Sequence, residues 1–180
     1  MPRQLSIHSV RGRMPVRYGV RPLMRALKIL AYMLLAGWCI FVLFTRVHQD
    51  SVWWMKFIPL AVLFVALDAF LRQLTSLHSV IFTPQALILR YPLRPVLAIP
   101  YASLSSMELR KVITYYVFWG FTDSQGRQRM IKTQASFPKM LEIMYNIADL
   151  APHIRLNEDL EKMIKVMRDV LSRQENPDAD

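Results

Sequence analysis

The chain is short of the residues that perform chemistry. It has one cysteine, Cys39, which excludes an internal disulfide and any multi-cysteine metal site. Set in the middle of an apolar run, that thiol reads as a small packing residue. Glycine is scarce, five in 180 residues, and no phosphate-cradling loop is present. The four histidines, His8, His48, His78 and His153, match no metal-ligand spacing, and no glutamate accompanies them as in a helical zinc motif. Ser103, Ser105 and Ser106 lie beside a turn but outside any Gly-x-Ser-x-Gly elbow. The expectation is a non-enzyme with no cofactor and no metal.

Acids are missing where cations are densest. Before Ile29 stand seven cations (Arg3, Arg11, Arg13, Arg17, Arg21, Arg25 and Lys28) and no Asp or Glu. Two apolar stretches follow, Ile29–Thr45 and Val52–Leu71, separated by six residues. Crossing about 30 Å of hydrocarbon takes roughly 20 mostly apolar residues as helix, so the pair reads as a transmembrane hairpin over residues 25–72, with spans near 26–45 and 52–71. The basic lead is too long for a signal peptide, the apolar run exceeds the usual length of about 7–15 residues, and no small-x-small site follows Phe44. The connecting loop, Arg46–Ser51, carries one Arg and one Asp. Cations are retained on the cytoplasmic side, so both termini are expected there, with Trp53 and Trp54 at the outer headgroup layer.

The net charge of +10 does not require nucleic acid as a partner, because topology accounts for the first seven cations and no nucleic-acid-binding signature accompanies them. Anionic lipid headgroups are the expected contacts of Arg11, Arg13, Arg17, Arg21, Arg25 and Lys28. Residues 1–24 form a basic arm broken by Pro2, Pro15 and Gly19. Two readings of it stay open. It is disordered, or Met14–Val20, which alternates at the strand period, covers an open sheet edge. In the second span Lys56 snorkels outward and Pro59 introduces a modest kink. Asp68 has Arg72 four residues on, with Lys28 and Arg25 at similar depth. A boundary ion pair is the expectation, since no second intramembrane acid exists to form a proton relay.

Beyond residue 77 the pattern turns to short strands: Ser79–Thr83, Ala86–Tyr91, Val96–Pro100, Leu104–Arg110, Val112–Thr122 and Arg127–Thr133, with a turn at Asp123–Gly126. Ser136 is placed to cap a helix with Phe137, Met140, Leu141, Met144, Ile147 and Ala148 on one face. After an extended Pro152–Leu156, Asn157 is placed to cap a second helix over 157–173. Its stripe of Leu160, Met163, Ile164, Met167, Val170 and Leu171 keeps the helical period and must be covered either by the domain's own flank or, as a docking surface, by a partner protein or a second copy. Residues 174–180 form a polar tail.

The stretch VIFTPQALILRYPLRPVLAIPYASLSSMELRK, with its tight turn, its Leu-Arg-Tyr strand end and Ile99-Pro100 ahead of Leu104 and Met107, resembles the bacterial pleckstrin-homology-like (PH-like) domains. The resemblance covers about 70 residues. It implies that residues 78–151 form a small antiparallel barrel closed by a helix, and that the module binds or scaffolds. One of the family's seven strands is not visible, Ala86 stands where a Gly is frequent, and the first turn lacks the cations of inositol-lipid binders. The fold expected is therefore a transmembrane hairpin followed by an α+β cytoplasmic domain. The function expected is a scaffold that binds another membrane protein or a second copy of itself. Lipid sensing or handling is the alternative, and a small transporter subunit a further one.

Overall fold

The computed structural model describes residues 8–48 and 52–175, with side chains to residue 169. Arg3, the end of the connecting loop and the tail beyond Glu175 lie outside them. The chain divides into two compact units. One comprises Val20–His78 and Tyr91–Pro95; the other comprises the residues before Val20, Ser79–Arg90 and those from Val96 onward.

The first unit is a helical hairpin, α1 (Pro22–Thr45) and α2 (Trp53–Thr75). Pro22 occupies the first turn of α1, where its missing N–H costs nothing. Both helices are long and apolar enough to cross a membrane, and only 11% and 6% of their most apolar windows are buried. Their few buried apolar residues are small ones, Ala36 and Cys39 on α1 and Ala66 on α2. Small side chains are what let helix backbones approach closely. α2 continues through Pro59 without a break.

The second unit opens with β1 (Val16–Gly19), the arm's alternating segment. It pairs antiparallel with β2 (Ser79–Phe82), Gly19 facing Ser79 and Val16 facing Phe82. Of the two readings of the arm, the strand along a sheet edge is the one found, and a disordered arm is excluded over these residues. β3 (Ala86–Arg90) and β4 (Leu97–Pro100) complete an antiparallel sheet in the order β1-β2-β3-β4. A single 3-10 turn, Tyr101–Ser103, then leads into a second sheet. There β5 (Leu104–Lys111), β6 (Tyr115–Thr122) and β7 (Gln128–Gln134) pair antiparallel, and β8 (Arg155–Leu156) joins β5 in parallel, giving the order β7-β6-β5-β8. The expected small antiparallel barrel is therefore corrected: among the described residues the strands make two four-stranded sheets, because the ladder stops at β4 and restarts at β5.

Burial follows the strand period of two. Val80, Phe82, Leu87, Leu89 and Ile99 are fully buried from the first sheet, and Met107, Val117 and Trp119 from the second. Gly120 faces Ser106 at the irregularity in the β5–β6 ladder, where a Cβ would collide with the Ser106 hydroxyl. Gly126 takes a positive φ in the β6–β7 turn, a conformation free to glycine. Asp123 anchors that turn. N–H groups of Arg127 and Gln125 donate to its carboxylate, Arg129 stands 2.7 Å away, and together they hold the carboxyl below its ordinary range, the Arg127 N–H first among them.

Two helices finish the unit, α3 (Met140–Leu150) and α4 (Glu158–Glu175). Ser136 does not cap α3. The left-handed backbone of Lys139 takes the cap position, so the helix starts three residues later. Met140, Met144, Ile147 and Ala148 are buried as expected, Ile143 joins them, and Leu141 points outward.

Candidate functional site

α3 carries a polar row inside its apolar surroundings. Glu142, Asn146 and Asp149 follow one another at helical spacing, and each binds the N-terminal arm. Val10 N–H donates to Asn146 Oδ1 at 2.9 Å, and Asn146 Nδ2 donates to the carbonyls of His8 and Glu142. Tyr18 O–H donates to Glu142 Oε1 at 2.9 Å, while Lys139 Nζ lies 3.1 Å from the other carboxylate oxygen. Burial, reinforced by that carboxylate, pushes the Tyr18 hydroxyl well above its ordinary value, so it stays a donor. Arg11 ion-pairs with Asp149 at 2.7 Å and donates to its carbonyl. Sequence reasoning missed this clamp. Its signal was a Glu-x-x-x-Asn pair inside an otherwise apolar helix.

A second polar cluster closes the base of the hairpin. Arg25 is 7% exposed, so its assignment as a headgroup contact is corrected. Its guanidinium donates to Gln73 O and to Ser76 Oγ and faces His78 Nδ1 at 3.1 Å. The Gln73 carbonyl is one of the last four of α2, which no helical N–H reaches, and a cation there also answers the negative helix end. Val20 N–H donates to His78 O at 3.2 Å, extending the pairing of the two connecting segments. Arg72 lies 2.8 Å from Asp68, four residues apart and both open to solvent.

The remaining assigned cations divide by surroundings. Arg11 is held by Asp149, whereas Arg13, Arg17, Arg21 and Lys28 are exposed. For the described residues of the α4 stripe, the docking reading is corrected in favour of the domain's flank. Leu160, Ile164 and Met167 are buried and Met163 is half-buried, with α4 lying beside β5; the side chains of Val170 and Leu171 lie outside the described residues. Asn157 does not cap α4 with its side chain. Its amide pairs with both the N–H and the carbonyl of Leu109, prolonging the β8 ladder along β5, and only its backbone carbonyl receives the first N–H groups of the helix.

What is left open is the outer face of β5–β6–β7. Arg110 lies over the Phe118 ring and Lys132 over Tyr116, at 5.4 and 5.6 Å, and Arg110 pairs with Glu108. Cations over aromatic faces are attracted by the ring quadrupole. At the β5–β6 tip Ile113 is 91% exposed, with Val112 and Tyr115 exposed beside it. Among the described residues no group of three His, Cys, Asp or Glu could hold a metal ion. Comparison with protein-family models, curated proteins and solved structures finds no match to this chain.

Proposed function

We propose that the chain is a membrane-anchored, non-catalytic scaffold, and that its β unit presents the outer face of β5–β6–β7 to another membrane protein or to a second copy. The observation that carries this reading is the place of the hairpin in the sequence of strands. It is inserted between β1 and β2, neighbours in one sheet, so two short segments, and not one flexible linker, join membrane helices to a folded module. Apolar side chains such as Leu34 and Phe64 on the open faces of the helices support a bilayer as their solvent. The seven cations before the first span support an orientation with both termini inside, and the resemblance to bacterial PH-like domains is what suggests a bacterial inner membrane.

The arrangement also supports the PH-like reading. β1 supplies the seventh strand beside β2 to β7, and α3 follows β7 as a closing helix. With the α4 stripe buried, the partner surface moves to Tyr116, Phe118 and Ile113, where rings, cations and one aliphatic tip stand together, the mixture enriched in interface cores.

Site-specific photo-crosslinkers at Ile113 and Phe118 in intact cells test this. A discrete adduct from both positions, absent from a crosslinker at Val166 on the open side of α4, is the expected result; no adduct from either position rejects the surface. Topology is read on a Cys39→Ser background, where an outside label should modify Ser51→Cys and leave Ser172→Cys untouched.

A further inference from the structure

The register of the first sheet brings three chain segments to one of its ends. Gly19, the last residue of β1, faces Ser79, the first of β2, and Ser79 faces Arg90, the last of β3. Both connections to the hairpin and the loop after β3 therefore leave the sheet from the same end. The connections are short: Val20 and Arg21 on one side, Ser76 to His78 on the other. The loop Tyr91–Pro95 accordingly belongs to the hairpin unit.

That loop is built unlike a solvent-facing turn. Leu93 is 66% exposed at its tip, followed by Val96 at 58%, and Arg94 lies over the ring of Tyr91. Pro92 and Pro95 fix two φ angles and remove two N–H groups. The tip thus holds its aliphatic side chain outward with little ordering cost, and it brings fewer unsatisfied donors toward an apolar phase. No Asp or Glu occurs between Asp68 and Glu108, while Arg72, Arg90 and Arg94 fall within that stretch. An aliphatic tip backed by arginine in an acid-free segment is the chemistry of an interface with anionic lipid.

We propose that the 91–95 loop is a membrane-surface contact, Leu93 entering the boundary between headgroups and acyl chains and Arg94 holding lipid phosphate. The inference rests on the hairpin spanning a bilayer. It adds a specific lipid-reading element to the scaffold.

The test uses the full chain on a Cys39→Ser background, with an environment-sensitive fluorophore on Leu93→Cys, in phosphatidylcholine nanodiscs with and without phosphatidylglycerol. The expected result is a blue-shifted emission, quenching by a shallow spin-labelled lipid and protection from aqueous iodide, all stronger with phosphatidylglycerol. A probe on Gln125→Cys in the β6–β7 turn should remain open to iodide. Arg94→Gln should reduce the phosphatidylglycerol-dependent protection about fivefold, the weight of one basic residue at an anionic surface. Three results overturn the proposal: a Leu93 probe as open to iodide as the Gln125 probe, a protected probe that the shallow lipid quencher does not reach (a protein cover), or protection indifferent to phosphatidylglycerol. A probe on Phe64→Cys keeps the two readings apart. Quenching there by a deep spin label upholds the membrane hairpin whatever Leu93 does, and its absence removes both.

Discussion

The hairpin and the β unit treat the same kinds of side chain in opposite ways. Leu34 and Phe64 face outward along α1 and α2, whereas Leu160, Ile164 and Met167 of α4 are hidden. α1 and α2 are apolar all round, and α4 is apolar on one stripe with Glu158, Asp159 and Glu161 in its first turn. An apolar circumference matches a solvent that is itself apolar; a stripe matches a flank. Charge divides along the same line. Of the 13 acids, only Asp50 and Asp68 precede Glu108, so the hairpin and the sheet it interrupts are basic, and the acids follow from the second sheet onward.

Truncation of a large apolar side chain is the sharpest way to break the comparison. Leu160→Ala removes a fully buried side chain, and Leu→Ala changes in cores cost about 2–5 kcal/mol. The melting temperature of the β unit in detergent should fall accordingly, with no change in oligomeric state. Phe64→Ala, on an outward face of α2, should leave that melting temperature where it was. Equal falls in the two variants would mean that the hairpin hides its apolar faces as α4 does.

The arm gives a smaller effect. Asn146→Ala leaves the N–H of Val10, a buried residue, without its acceptor, and an orphaned buried donor costs about 1–3 kcal/mol. Amide exchange should accelerate across Val16–Gly19 as β1 loosens from β2, while Tyr115–Thr122 keeps its protection. Uniform acceleration through both sheets would make Asn146 part of the general core and not a specific fastening of the arm.

Much of this was legible in the sequence. The six strands expected after the hairpin appear close to their expected bounds as β2 to β7, because apolar and polar positions alternate and turn residues separate them, and β1 announced itself through Met14–Val20 in the same way. Arg25 did not. Within a basic run it is indistinguishable from Arg21, and the polar groups at the end of α2, the Gln73 carbonyl, Ser76 and His78, turn it inward. The stripe of α4 shows that a face is buried but not what covers it. Asn157 satisfies the rule for a helix cap, yet the open edge of β5 offers its amide two partners at once. For Arg25 and Asn157 alike, a local signal was outweighed by a backbone group, distant in sequence, that needed a partner.

The smallest effect belongs to the one acid of the hairpin's helices. Asp68 and Arg72 are paired at 2.8 Å, and their side chains are 47% and 70% exposed in the isolated chain. An exposed i,i+4 pair contributes about 0.3–0.5 kcal/mol, so Asp68→Asn should lower hairpin stability by no more than that in a steric-trapping or chemical-unfolding assay in micelles. Arg72→Gln should match it, and the double variant should be no worse than either single one, since each substitution removes the same interaction. A proton or ion flux through reconstituted vesicles that Asp68→Asn abolishes would overturn this reading. It would make the carboxylate part of a conduction path, and the hairpin more than an anchor.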